Sequence, residues 1–219
     1  MAGNQLIVAI WGAAGNMGTR ACKRLKESRQ YDLRYVEVLP AGESALRARG
    51  DLPTPPDRAA AEADVVLLAI ADKHIPAVSA DLVPKMKSGA ILMMLDPAAA
   101  YAEVLPRRGD IAIFVTHPTH PSVFNDEVGE ARFDYFGAGL AKQSIVSALV
   151  QGPENAYAIG EAISAAYFSP RRRAGAHPPL LPPAPPRPPR RARPPPPPRT
   201  RHERNLRRDV HRRAEGSHG

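Results

Sequence analysis

Apolar residues along the first two-thirds of the chain fall into short runs separated by helically spaced stretches. Leu6–Trp11 (LIVAIW) is a continuous apolar run that stops at a glycine. Such a run fits a strand buried on both faces, as in a parallel sheet. Residues 34–39 (RYVEVL), 64–70 (DVVLLAI), 90–96 (AILMMLD) and 111–116 (IAIFVT) predict four further strands. Helices are predicted between them. Asn16–Ser28 places Met17, Ala21, Cys22 and Leu25 on one face, and the others span 43–49, 75–86 with Pro76 in its first turn, and 99–105. Alternating strands and helices require crossover connections, hence an α/β fold with a parallel sheet covered on both faces.

The pattern changes from about Phe133. Residues 142–150 (KQSIVSALV) and 154–168 have helical spacing with no strand between them, which predicts the start of a helical domain. After Phe168 the apolar pattern stops. The organisation expected is therefore an α/β domain at 1–120, a partial helical domain at 121–168 and a tail at 169–219.

Charge sharpens that division. The chain carries +8 formally, but residues 1–168 hold 16 Lys+Arg against 19 Asp+Glu. Residues 169–219 hold 14 Arg, no Lys and three acids, with 14 of the 25 prolines. They contain no Ile, Met, Phe, Tyr or Trp, so they are expected to be disordered and partly polyproline II. The basic balance thus belongs to the tail and is weak evidence for a nucleic-acid partner. Cys22 is alone, which excludes a disulfide scaffold. The apolar runs are strand-length, far below the roughly 20 residues of a membrane span. No secretory signal is visible at the start, and a reduced, cytoplasmic setting is expected.

The candidate chemistry begins where the first strand runs into Gly12-Ala13-Ala14-Gly15-Asn16-Met17-Gly18. Gly12 permits a tight turn, Gly15 lets backbone approach a pyrophosphate, and Gly18 lets the helix pack close to the strand. Amide groups at the helix start then face the anion. A strand before the glycines and a helix after them make this a Rossmann-type dinucleotide signature. Glu37, 19 residues beyond Gly18, is the candidate for the adenosine ribose hydroxyls, with Glu43 a competing acid. No Arg follows Glu37 closely to receive a 2′-phosphate, which favours NAD over NADP. Asp72, at the end of a later strand, either lies near the cofactor or caps the next helix. Asp96 has the same two readings.

The last predicted strand of the sheet ends in Thr116-His117-Pro118-Thr119-His120-Pro121. Proline disfavours helix for the residue before it, so this segment is extended or turned at the carboxyl edge of the sheet. His117 and His120 are candidates for proton transfer or metal ligation, the alternative being two surface histidines. Lys142, after Gly137-Ala138-Gly139, is a candidate for proton transfer or for binding a carboxylate; a solvated helix lysine is the other reading.

These segments together, with Val36-Glu37-Val38, Phe124-Asn125-Asp126, Ala141-Lys142-Gln143 and Gln151-Gly152-Pro153-Glu154, resemble the D-apionate oxidoisomerase family over about residues 5–168. That family is often labelled phosphogluconate-dehydrogenase-like. The resemblance implies an NAD-dependent enzyme with a Rossmann domain and a helical domain that forms homodimers. It implies oxidation of a branched sugar acid coupled to carbon-skeleton rearrangement. Residues 12–18 and Glu37 would hold NAD, and His117 would belong to the substrate site or ligate a divalent metal. A 6-phosphogluconate or 3-hydroxyacid dehydrogenase-like enzyme is the alternative, as is a non-catalytic NAD-binding remnant with a basic tail for acidic partners. The family pattern calls for further apolar helices beyond Phe168, where this chain turns to Arg and Pro. Out-of-frame translation of a GC-rich gene is the reading favoured for that switch. It competes with a natural tail that binds nucleic acid or acidic surfaces, and with proline-rich ligand sites.

Overall fold

A computed structural model describes residues 5–119, 127–134, 140–141 and 143–168, all within the contact unit Met1–Pro178. The elements run β1 (Leu6–Trp11), α1 (Asn16–Ser28), β2 (Tyr31–Val36), α2 (Pro40–Ala48), α3 (Pro56–Glu62), β3 (Val65–Leu68) and α4 (Ile75–Leu82). They continue with β4 (Ile91–Met94), α5 (Ala98–Tyr101), β5 (Ala112–Pro118), β6 (Ile145–Gln151) and α6 (Glu154–Tyr167). The strands form one sheet in the order β2-β1-β3-β4-β5-β6, with only β6 antiparallel to its neighbour.

The continuous apolar runs form strands because both faces of the sheet are covered. Alternate residues of each central strand enter two separate cores. Ala9, Trp11, Val66, Leu68, Leu92, Met94, Ile113 and Val115 pack with Ala59 of α3, Ile75 and Leu82 of α4 and Ala99 of α5. Val8, Ile10, Val65, Leu67, Ile91, Met93 and Phe114 pack with Ala21, Cys22 and Leu25 of α1 and with Ala156, Ile163 and Tyr167 of α6. The period of two in the strands and the helical period of α1 meet on that second face. No helix among the described residues is long and apolar enough to cross a membrane.

Two departures from the sequence reading have clear physical causes. The helical spacing read over 142–150 is overturned, because Ile145–Gln151 is a strand. Its residues alternate, with Val146 and Val150 exposed and Ile145, Ser147 and Leu149 half-buried toward α6. A short apolar run fits either period, and here the open edge of β5 decided it by taking a partner for its backbone groups. Gln151 secures the join, donating from Nε2 to the carbonyls of Arg108 and Ile111, each at 2.8 Å. The second strand starts at Tyr31 rather than residue 34 and stops level with Trp11. Asp32 and Arg34 interrupt its apolar pattern because β2 is an edge strand whose polar positions pair with each other and with Glu62. The helix over 99–105 shortens to Ala98–Tyr101, and α3 forms where none was expected.

α6 is held to the sheet and to α1 by aromatic packing. Phe114 is fully buried beneath it and meets Tyr157 edge-on at 5.6 Å between ring centres. Tyr167 stacks on Phe168 at 4.2 Å and donates its hydroxyl to the Met17 carbonyl at 3.0 Å. Phe114→Ala is expected to lower stability by about 3–5 kcal/mol, a large part of a typical domain's total. Urea denaturation measures it; a loss below about 1 kcal/mol would contradict this packing.

Candidate functional site

The chain leaves β1 in a tight loop that returns at once into α1. Gly12 takes φ +76°, and its N–H and that of Ala13 both donate to the Val36 carbonyl, at 3.0 and 3.3 Å. The Gly15 N–H closes the loop onto the Gly12 carbonyl at 3.0 Å. A Cβ on Gly12 would lie 2.6 Å from the Ala69 carbonyl oxygen, and one on Gly18 only 2.0 Å from the Gly12 oxygen. The fold itself therefore requires glycine at both positions. Gly15 differs: its Cβ would meet only the Gly12 oxygen at 3.3 Å and the Ala69 oxygen at 3.9 Å. Nothing in the protein strictly forbids a side chain there.

α1 begins at Asn16 without a side-chain cap and without an acid in its first turn. The helix dipole favours an anion at that amide end. The position in the sheet matches. β2 lies on one side of β1 and β3 on the other, so the strand order reverses at this turn, where open α/β sheets bind ligands.

The other candidates gather at the same edge. Glu37 is the first residue past β2, and its Oε1 accepts the Ala14 N–H at 2.7 Å. Gly42 of α2 makes room for that carboxylate, since a Cβ there would stand 2.7 Å from Oε2. Asp72 lies exposed in a single 3₁₀ turn, Asp72–His74, beyond β3. Asp96 follows β4 and caps the next turn, its Oδ1 accepting the Ala98 N–H at 2.7 Å. His117 lies near the end of β5, about half exposed. His120 and Lys142 lie outside the described residues.

His117 is oriented by its neighbour strand. Its Nδ1 is 2.8 Å from the Leu95 carbonyl and 4.0 Å from Asp96 Oδ2. A carbonyl only accepts, so in the neutral form of the ring Nδ1 is the protonated nitrogen and Nε2 the one with a lone pair. Among the described residues no group of three or more His, Cys, Asp or Glu could hold a metal ion.

Behind the turn the chemistry is inert. Cys22 is buried with Sγ 3.7 Å from the Ala13 carbonyl. Burial pushes its thiol up to about 12 against the opposing pull of Arg49. Burial likewise lowers the Arg20 guanidinium, which lies over the Phe168 ring and donates to Gln143 Oε1 at 2.8 Å.

Over 170 residues the chain is 48% identical to the D-apionate oxidoisomerase of Rhizobium rhizogenes, covering 77% of this chain and 62% of that protein. The body of the chain is similar to the D-apionate oxidoisomerases. The enzyme of that name from Cupriavidus necator is 44% identical over 169 residues, covering 76% and 61%. The chain thus spans about three-fifths of the length of these oxidoisomerases. Among solved structures, a semialdehyde dehydrogenase NAD-binding protein from Cupriavidus necator, in complex with calcium and NAD, superposes with a TM-score of 0.72 at 43% identity. It is covered over 62% of its length, and 77% of this chain takes part. Residues 125–175 match the family described as phosphogluconate dehydrogenase (decarboxylating), C-terminal.

Sequence reading missed Gly42 and Arg49. Gly42 left a usable signal, a glycine in the first turn of a helix at a cost of about 1 kcal/mol relative to alanine. Arg49 left none, because its partners at the turn, Thr19 and Ala13, are distant in sequence. The buried, neutral Cys22 thiol is expected to react with a disulfide reagent only on unfolding, at the rate set by urea. Fast labelling of the native chain at neutral pH would contradict its burial under α1.

Proposed function

We propose that this chain binds NAD at the carboxyl edge of its sheet and serves an NAD-dependent oxidoreductase of the D-apionate oxidoisomerase type, acting on a sugar acid. The observation that carries this reading is the meeting of the Ala14 N–H and the Glu37 carboxylate at 2.7 Å beside the uncapped start of α1. That arrangement joins an anion-binding turn to an acid suited to two ribose hydroxyls, as a dinucleotide demands. Gly15 supports the fit, because a Cβ there would crowd only the Gly12 oxygen, at 3.3 Å, at the turn where a pyrophosphate would lie. Residues 12–18 would hold the pyrophosphate, Glu37 the adenosine ribose, and Asp72 would lie toward the nicotinamide side. Glu37 also disfavours a 2′-phosphate by like charge, which supports NAD over NADP.

When bound, NAD supplies the acceptor for a hydride from a secondary alcohol carbon. His117 Nε2 takes the hydroxyl proton, its ring held by the Nδ1–H bond to Leu95. His120 and Lys142 share the proton transfer and the grip on the substrate carboxylate in this reading. Among the described residues His117 and Asp96 are two donors, one short of the usual three-ligand catalytic site.

A second reading is favoured by the Arg/Pro composition after Phe168. In it the chain holds NAD but does not turn over, because the apolar helical half is replaced. Calorimetric titration with NAD, followed by a turnover assay on D-apionate, separates the two. Binding with turnover supports the enzyme; binding alone supports the second reading; no binding contradicts both. Gly15→Ala is expected to keep the fold and weaken NAD binding by at least about tenfold, near 1.4 kcal/mol. Gly18→Ala is expected to lose the fold, by more than about 3 kcal/mol. A Gly15→Ala chain that binds NAD as tightly as the parent would overturn the assignment of the turn.

A further inference from the structure

Arg49 caps the carboxyl end of α2, on the far side of the glycine turn from Glu37, and all three of its guanidinium nitrogens are engaged. Nε donates to Asp51 Oδ2 at 2.8 Å, Nη1 to Thr19 Oγ1 at 2.8 Å, and Nη2 to the Ala13 carbonyl at 3.2 Å. Thr19 Oγ1 passes the contact on, donating to the Ala14 carbonyl at 3.3 Å. One side chain thus holds two consecutive carbonyls of the turn, one directly and one through a hydroxyl.

The consequence follows from the peptide bond. A trans peptide points its C=O and N–H in opposite directions. Holding the Ala13 carbonyl back against Arg49 directs the Ala14 N–H forward, where it meets Glu37 Oε1 at 2.7 Å. The Gly15 N–H of the next peptide is tied to Gly12, so neither peptide can flip without breaking bonds at both ends.

We propose that Arg49 is a positioning residue for the dinucleotide turn, fixing the Ala13 and Ala14 carbonyls from behind so that the Ala14 N–H is aimed before the cofactor arrives. This rests on the NAD reading above. Arg49 is itself anchored. Asp51 is 5% exposed and also takes Lys26 Nζ at 2.9 Å. Burial pushes the Asp51 carboxyl up, but the bonds from Lys26 and Arg49 outweigh it and hold the acid below its ordinary value. Three acceptors at fixed angles suit a planar guanidinium and not a single ammonium point charge.

The test uses the full chain and NAD itself, with the dissociation constant and the thermal midpoint read on the same samples. Arg49→Lys keeps the charge beside Asp51 but cannot span the other two acceptors. It is expected to weaken NAD binding roughly three- to tenfold, the worth of one hydrogen bond, with the midpoint nearly unchanged. Thr19→Val is expected to act in the same direction, and the double variant to be no worse than the sum, since both serve one loop. Lys26→Met, which touches Asp51 but not the turn, is the control and leaves NAD affinity as it was. Parent-like NAD binding by both Arg49→Lys and Thr19→Val overturns the proposal while the NAD reading stands. Equal weakening by Lys26→Met also overturns it, because the effect would then be general stability. Failure of the parent chain to bind NAD removes the reading and the proposal together.

Discussion

The tightest constraint in the molecule is the approach of α1 to the end of β1, where a Cβ on Gly18 would come within 2.0 Å of the Gly12 oxygen. That contact sets the distance between helix and sheet. Small residues follow from it, since Ala21 and Cys22 fill the next turn of the interface and Leu25 the one after. It also sets where the start of α1 lies, and therefore which way its amides face. Tyr167 reaches the first turn of the same helix through Met17, so the position of α6 depends on it too. A fold assembled around one close backbone contact is rigid where a charged ligand would sit. Preorganised donors bind without the cost of ordering them.

The strand ends convert that rigidity into a site. The glycine turn, Glu37, Asp72, Asp96 and His117 come from five successive strands of a sheet whose first five strands are parallel. Parallel strands bring all their carboxyl ends to one edge, so residues up to a hundred positions apart meet there without long loops. In the proposed reading, the described part of the chain supplies the groups that would hold a dinucleotide, and one oriented imidazole. The partners expected for that imidazole, His120 and Lys142, fall outside it. Charge separates along the same line. The mildly acidic body carries the site, and the Arg-rich composition belongs to the stretch that has no apolar pattern.

The sequence carried most of this in local signals. Continuous apolar runs gave β1, β3, β4 and β5, because strands buried on both faces need no polar alternation. α1 was legible to the residue from its periodicity and the glycines before it. β6 was not, since Ile145–Gln151 satisfies either period and its identity as a strand depends on the open edge of β5, a non-local fact. The start of β2 was blurred by Asp32 and Arg34, which an edge strand tolerates and a central strand does not. At the site, Glu37 was legible by its spacing from Gly18, and His117 by its place at a strand end. Arg49 was not, because the groups it holds in the turn lie on another element; Gly42 left only the signal of a glycine in a helix's first turn.

The central claim is that the turn and Glu37 together read an NAD ribose and pyrophosphate. The most direct measurement compares NAD and NADP dissociation constants for the parent chain and for Glu37→Gln. The parent is expected to prefer NAD by tenfold or more, about 1.4 kcal/mol, and Glu37→Gln to lose NAD affinity and most of that preference. Equal affinity of the parent for the two cofactors, or a preference unchanged by Glu37→Gln, would contradict it.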